Sequence, residues 1–171
     1  MANKKKILNI AKSVISIEQE AISELGQRLS DDFPNAVELI LSSEGRVIVA
    51  GVGKSANIAN KIVATLNSTG QPAVFLHAAD ALHGDLGNIQ NNDVVICISK
   101  SGNTEEIKSF IPLVKNLGNK VISICGNKDS YLVRESDLFL DSTVDKEACT
   151  NNLAPTSSTT AQLVLGDALS V

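Results

Sequence analysis

The feature that most constrains the fold is a series of short apolar runs, separated by segments with helical periodicity. The clearest run is Val94-Val95-Ile96-Cys97-Ile98, a mostly β-branched stretch that predicts a strand buried on both faces. Apolar residues recur at helical spacing after it. Strands of this kind alternating with helices predict an α/β fold, a three-layer, doubly wound, flavodoxin-like arrangement around a five-stranded parallel sheet.

The predicted strands lie at residues 46–52, 72–76, 94–98, 120–125 and 137–140. The helical spacing of apolar residues from 4 to about 29 predicts one long helix in addition to those of the α/β core. Its broad apolar stripe would cover the domain body or a second subunit. Pro112 is expected to kink the helix after the third strand, or to restart it. A last helix is expected to begin near Pro155.

Length and composition indicate one domain, residues 1–171, with helices in 1–45 packing on the core or on a neighbouring subunit. The net charge of −4 and the absence of a basic half disfavour general nucleic-acid binding. The apolar runs are too short to span a membrane, and no signal peptide is recognised. Three scattered cysteines favour reduced thiols and a cytoplasmic protein. The chain stops within an uncapped helical pattern, so the natural protein is expected to continue beyond Val171.

Three hydroxyl side chains stand where the third strand turns into a helix. Ser99, Ser101 and Thr104 surround Gly102, which lets a ligand approach the backbone closely. A helix N-terminus adds unpaired N–H groups and a positive dipole end, so this loop predicts a phosphate-binding site. The alternative is an ordinary N-cap with a tight turn.

A second loop, Gly51-Val52-Gly53-Lys54-Ser55, follows the first strand. It matches a dinucleotide fingerprint only loosely, and His77 stands where that fingerprint requires an acidic residue, which disfavours a nucleotide-binding Rossmann enzyme. Ile48 occupies the position of the first Walker A glycine. The loop would admit a ligand through Gly53, with Lys54 as a cation and Ser55 as a hydroxyl donor. The alternative is a tight turn with a solvated lysine.

Further candidates lie in the other connections at the same edge of the predicted sheet. His83 stands among glycines, and an imidazole can transfer protons near neutral pH; the alternative is a surface or structurally bonded histidine. The carboxylates Glu106 and Glu147 are further candidates for the site. The alternative for Glu106 is a first-turn glutamate that complements the dipole of its helix, and the alternative for Glu147 is a solvated loop charge. The two histidines have no obvious third ligand, so the sequence gives little support for a metal site. The hydroxyl-rich stretch 154–160 is either a second anion-binding helix start or an N-cap region, with Thr156, Ser157 and Ser158 as its candidates.

Together these residues resemble the sugar isomerase (SIS) domain family, and within it the arabinose-5-phosphate isomerases. The resemblance covers nearly the whole chain from residue 46 onward. It depends on five stretches: Gly51-x-Gly53-Lys54-Ser55, Ala81-x-His83-Gly84-Asp85-Leu86-Gly87, Ser99-x-Ser101-Gly102-x-Thr104-x-Glu106, Lys146-Glu147-Ala148-Cys149 and Leu153-Ala154-Pro155-Thr156-Ser157-Ser158-Thr159-Thr160.

The resemblance implies interconversion of D-arabinose 5-phosphate and D-ribulose 5-phosphate for synthesis of the sugar acid Kdo, used in lipopolysaccharide or capsule. It implies no cofactor or metal. The phosphate would be held by Ser55, Ser99, Ser101 and Thr104, and the residues matching catalytic positions are Lys54, His83, Glu106 and Glu147. Family sites form between subunits of a homotetramer.

The chain departs from the family's pattern in two ways. It has no CBS domain pair, and a further family histidine would fall past Val171. Inhibition by CMP-Kdo, if present, would then act at the SIS domain itself. The competing function is a non-catalytic SIS module that senses a phosphosugar. Such modules usually accompany a basic DNA-binding helix, which the first 45 residues lack.

Overall fold

The strands and helices lie close to their predicted positions. The strands are β1 Val47–Gly51, β2 Ala73–His77, β3 Val94–Ser99, β4 Lys120–Cys125 and β5 Leu138–Asp141. The helices are α1 Lys4–Gln27, α2 Asp32–Ser42, α3 Lys54–Thr69, α4 Ala78–Ala81, α5 Glu105–Asn116, α6 Tyr131–Glu135 and α7 Ser157–Ser170, with a 3-10 turn at Asp85–Asn88. The computed structural model describes residues 3–171; Met1 and Ala2, the start of the predicted domain, lie outside the described residues.

The five strands form one parallel sheet in the order β2-β1-β3-β4-β5. The chain leaves β1 through α3 towards β2, and leaves β3 through α5 towards β4, on the other side. β1 and β3 therefore flank the point where the winding direction reverses, and ligands of open α/β sheets bind beyond the carboxyl ends of such strands. The predicted doubly wound α/β fold is confirmed.

The sheet is covered on both faces, because successive residues of a strand point to opposite sides. Val47 and Val49 belong to a cluster completed by α2, α3 and α7. Ile48 and Ala50 belong to a second cluster completed by α4, α5 and α6. β1 and β3 are buried along their whole lengths, as their continuous apolar sequences predict.

The N-terminal helices pack on the face that carries α7. The Asp32 carboxylate at the start of α2 accepts a hydrogen bond from the Phe139 backbone N–H of β5 at 2.9 Å. In α1, Ala21 and Leu25 are buried, whereas residues 4–13 are exposed throughout. The long predicted helix is confirmed, and only its C-terminal half covers the body of this chain.

The helix α5 differs from one expectation. It continues without interruption from Glu105 to Asn116, with Pro112 inside it, so the predicted restart at that proline is wrong. The flanking residues Ile111 and Val114 are fully buried, and their packing against the sheet holds the helix together despite the missing proline N–H. No helix within residues 3–171 is both long and apolar enough to cross a membrane.

Candidate active site

A cleft of about 280 Å³ opens beyond the carboxyl ends of β1 and β3. We call it the serine cleft. Its lining residues are Val52, Ser55, Ile98, Ser99, Lys100, Ser101, Thr104 and Ile107. The two predicted ligand loops, one after each strand, therefore meet at one place, as the reversal of winding direction requires.

The loop between β3 and α5 is tightly turned and internally bonded. The Oγ of Ser99 is buried with its residue and accepts a hydrogen bond from the Gly102 backbone N–H at 3.0 Å. Gly102 has a φ of 65°, and a Cβ there would collide with the side chains of Ser130 and Cys125. Ser101, by contrast, is exposed. Glycine is therefore required at 102, and the turn brings Ser101 and Thr104 to the same cleft.

Two helices begin at the serine cleft without a side-chain cap. Thr104 occupies the N-cap position of α5, but its side chain makes no capping hydrogen bond. Gly53 occupies the N-cap position of α3, with a φ of 58°. The first N–H groups of any helix lack intrahelical partners, so both helix ends offer donors and positive dipole charge to an anion. The ordinary N-cap alternative does not describe Thr104.

A second cleft of about 250 Å³ adjoins the first, because Val52, Ser55 and Lys100 line both. We call it the lysine cleft, after Lys54. Its other lining residues are Leu153, Pro155, Ser158, Thr159 and Gln162. The hydroxyl of Ser55 donates to Oε1 of Gln162 at 3.3 Å. Lys54 therefore lies beside the predicted phosphate-binding hydroxyls, at the border with α7.

Glu147 is buried, with 5% of its surface exposed, so the alternative of a solvated loop charge is wrong. Its Oε2 accepts hydrogen bonds from the Thr156 backbone N–H at 2.7 Å, from Thr156 Oγ1 at 3.1 Å and from the Ser158 backbone N–H at 3.2 Å. Its Oε1 accepts from Lys100 Nζ at 2.6 Å. The carboxylate thus joins the start of α7 to the loop after β3.

The surroundings of Glu147 favour its charged form. Burial raises the pKa of this carboxyl group, but the hydrogen bonds from Lys100, Ser158 and Thr156 outweigh burial and lower the pKa to about 2. Glu147 is consequently ionised at neutral pH. A base with such a low pKa is a weak proton acceptor, so its environment must change before it can take a proton efficiently.

The start of α7 binds an anion supplied by the chain itself. The N–H groups of Thr156 and Ser158 are taken by Glu147, and the Thr156 hydroxyl also accepts from the Ala148 N–H at 2.8 Å. The hydroxyls of Ser157 and Ser158 are buried and have no partner among the described residues. A phosphate-binding role for these three residues stays a prediction.

Three of the four predicted catalytic residues line neither cleft. Glu147 lies behind the clefts and contacts the cleft residues Lys100 and Ser158. His83 is exposed in the connection after α4, and Glu106 is partly buried in the first turn of α5. Within residues 3–171, neither lines the serine cleft or the lysine cleft. Their roles stay predictions.

Lys100 and Gln162 line the clefts but were not among the predicted site residues. Lys100 lies between Ser99 and Ser101, so its position at the carboxyl end of β3 could have identified it as a cleft residue from the sequence. Gln162 is 1% exposed, one helical turn after Ser158 on the side of α7 that faces Ser55. Only the contact between α3 and α7 identifies Gln162.

A larger cavity of about 390 Å³ lies at the opposite, amino edge of the sheet. Leu39, Asp93 and Asn119 are among its lining residues, and none of the predicted site residues belongs to it. The Asp93 carboxylate there pairs with Arg46 at 2.8 Å. The candidate site is therefore identified by its chemistry and its place in the sheet, not by its size.

Relatives with known names match nearly the whole chain. Arabinose 5-phosphate isomerase KdsD of Pseudomonas aeruginosa is 48% identical over 171 residues, which are 100% of this chain and 52% of that protein. Arabinose 5-phosphate isomerase KdsD of Escherichia coli K12 is 48% identical over 160 residues, 94% of this chain and 49% of that protein. The chain spans about half the length of the curated relatives it matches.

Solved structures give the same relationship. The protein c3406 of Escherichia coli CFT073, in complex with arabinose 5-phosphate, has a TM-score of 0.95 and 39% identity over 99% of this chain and 90% of that chain. The family model described as SIS domain matches residues 40–171, from the end of α2 onward. That match confirms the resemblance carried by the sequence motifs: this chain belongs to the SIS domain family.

Proposed function

We propose that this chain is an aldose–ketose isomerase that interconverts D-arabinose 5-phosphate and D-ribulose 5-phosphate. The observation that carries the proposal is the meeting of two uncapped helix N-termini, of α3 and α5, at a cleft lined by Ser55, Ser99 and Ser101. Such an arrangement suits a phosphate group. The names of the Pseudomonas aeruginosa and Escherichia coli relatives, and the sugar phosphate complex of the 39% identical protein, support the choice of sugar.

The reaction moves a proton between adjacent carbons through an enediol or enediolate. It needs a base for the carbon proton, groups that move hydroxyl protons, and positive charge near the developing oxyanion. We assign the electrostatic role to Lys54 in the lysine cleft. Glu147 and His83 are the candidate bases, and Glu106 is assigned to positioning or ring opening.

The role of His83 is proposed together with a homotetramer. The exposed N-terminal half of α1 supports association, because Ile7, Leu8 and Ile10 are each more than half exposed. In this proposal residues 1–171 form one SIS domain, and the site is completed at a contact between subunits.

The pathway assignments are also proposals. We propose that the product supplies Kdo for lipopolysaccharide or capsule, that the protein is cytoplasmic, and that CMP-Kdo is a feedback ligand of the SIS domain. The three cysteines are free thiols, which fits a reducing compartment. A titration in which CMP-Kdo leaves the isomerase rate unchanged would remove the regulatory part.

The test is a coupled assay with both pentose phosphates, run beside a thermal-shift panel of phosphosugars and NAD. The unmodified chain should interconvert the two sugars. Lys54→Ala, His83→Ala and Glu147→Ala should each lower kcat/KM by about 10²–10⁴-fold, the usual contribution of such groups. Lys61→Ala is the matched control, because Lys61 lies on the same helix as Lys54 but pairs with Asp167 at the surface.

Near-normal turnover in all three variants, with the fold intact by circular dichroism, would contradict the assignment of roles. A thermal shift with phosphosugars but no turnover in the unmodified chain would contradict the enzyme proposal. That result would support the phosphosugar-sensing module instead.

A further inference from the structure

Lys100 links the two halves of the candidate site. It lies between Ser99 and Ser101 in the loop after β3, and it lines both the serine cleft and the lysine cleft. Its Nζ is 2.6 Å from Glu147 Oε1. No other lysine or arginine within residues 3–171 forms a salt bridge with Glu147. One cation therefore stands between the predicted phosphate-binding hydroxyls and the predicted catalytic carboxylate.

The two partners of this ion pair differ in exposure. The Glu147 side chain is 1% exposed and the Lys100 side chain is 50% exposed. Three hydrogen bonds from Thr156 and Ser158 fix Oε2 of Glu147, whereas Oε1 accepts a hydrogen bond from Lys100. A lysine carries its charge on a flexible four-carbon stem. Lys100 can therefore move while Glu147 stays in place.

A phosphate monoester in the serine cleft would compete for Lys100. It carries nearly two negative charges near neutral pH, against one for a carboxylate, and offers three acceptor oxygens. We infer that Lys100 is a shared cation, which pairs with Glu147 in this structure and turns to the phosphate group when a phosphosugar binds. This inference rests on the proposed function and adds a residue to it.

The movement of Lys100 to the phosphate would make Glu147 more basic at the time when the sugar is bound. Burial raises the pKa of Glu147, and the hydrogen bond from Lys100 is the largest of the contacts that lower it to about 2. The other groups at the carboxylate are the uncharged donors of Thr156 and Ser158, and Lys54 lines the adjoining cleft. Once Lys100 has turned away, Glu147 becomes a stronger base beside a bound sugar.

The test is a double-mutant cycle on phosphate binding, with the full chain and inorganic phosphate in isothermal titration calorimetry. Lys100→Gln should weaken binding about tenfold, the effect of losing one charged hydrogen bond at a half-exposed site. Glu147→Gln should tighten binding several-fold, because it releases Lys100. The double variant should bind like Lys100→Gln alone, because there is then no cation to release.

Lys108→Gln is the matched control. Lys108 is on α5 but pairs with Glu105 outside both clefts, so its loss removes the same charge without touching the site. Lys100→Arg, which keeps the charge, should bind phosphate more tightly than Lys100→Gln. If the glutamine variant does not fold, Lys100→Arg is compared with the unmodified chain in its place. A purely structural Lys100–Glu147 pair predicts that both single variants weaken binding, so the sign of the Glu147→Gln effect separates the two roles.

The inference is overturned if Glu147→Gln binds phosphate no more tightly than the unmodified chain, if Lys100→Gln matches Lys108→Gln, or if the unmodified chain binds no phosphate. Isomerase activity is measured on the same preparations. A cycle with the expected signs in a chain without activity would support the shared cation and contradict the proposed function. Isomerase activity together with a cycle that shows no coupling would support the proposed function and contradict the shared cation.

Discussion

At the scale of single residues, Glu147 is the best-defined group in the site. A carboxylate this deeply buried is tolerated because four hydrogen bonds reach its two oxygens. The same contacts that fix its position also hold its proton affinity low. Thr156 and Ser158 both position the carboxylate and lower its pKa, and Lys100 contributes the largest of the hydrogen bonds that lower it.

This environment predicts how stability depends on pH. The pKa of Glu147 is lowered from 4.5 to about 2, so the folded protein binds this proton less readily than the unfolded chain. The resulting stabilisation is fully present above about pH 4.5 and is lost as the pH falls towards 2, and it amounts to roughly 3 kcal/mol.

Urea unfolding of the unmodified chain and of Glu147→Gln, between pH 6 and pH 3, measures this contribution. The difference in free energy of unfolding should be nearly constant from pH 6 to about pH 5 and should shrink from there towards pH 3. A difference that is constant across the range, or that grows at low pH, would contradict the proposed contacts of Glu147.

The sequence predicts residues whose chemistry follows from local order. Ser99, Ser101 and Thr104 are recognisable because they stand between a buried strand and a helix. The burial of Glu147 was not predictable, since its partners come from a loop 47 residues earlier in the chain and a helix start 9 to 11 residues later. The sequence does not distinguish Gln162 from other polar helix residues, because its role depends on the packing of α3 beside α7.

At the scale of elements, the site depends on the packing of α7 against α3. Gly166 of α7 lies directly on Ile62 of α3, a side chain that is fully buried. This close approach holds the start of α7, and with it the donors to Glu147, beside Ser55. The sequence predicts both helices, but it does not predict which of their faces meet.

Gly166→Ala tests this contact. The added Cβ would collide with the Ile62 side chain, so overpacking should lower the free energy of unfolding by about 1–3 kcal/mol, despite the better helix propensity of alanine. Gly26→Ala in α1 is the control, because nothing lies within 4 Å of its added Cβ, and it should stabilise the protein by up to about 1 kcal/mol. Equal stability of the two variants would contradict the close packing.

At the scale of the whole molecule, strand order places the chemistry. The two loops that bind the ligand in our proposal follow β1 and β3, which are 47 residues apart in register but adjacent in the sheet. The alternation of strands and helices predicts the parallel sheet and the edge at which polar residues gather. It does not fix the strand order, because pairing between distant segments is decided by packing on both faces.

The exposed half of α1 predicts an oligomer larger than the 18.0 kDa chain. The apolar residues Ile7 and Ile15 are 52% and 66% exposed, which is costly for a monomer in water. Size-exclusion chromatography with light scattering should give a multiple of the chain mass, and the double variant Ile7→Glu, Ile15→Glu should lower it. Ser13→Glu, a charge added at an exposed polar position of α1, should leave it unchanged. A monomeric unmodified chain would contradict the proposal.

The proposed reaction moves a proton between adjacent carbons of a pentose phosphate, and proton NMR in D₂O follows that transfer directly. With D-arabinose 5-phosphate, we expect D-ribulose 5-phosphate to appear and the C2 proton signal to disappear, both strongly slowed in Lys54→Ala and unchanged in Lys61→Ala. If the chain binds the sugar at saturation, yet shows neither conversion nor exchange of that proton, the proposed isomerase function is wrong.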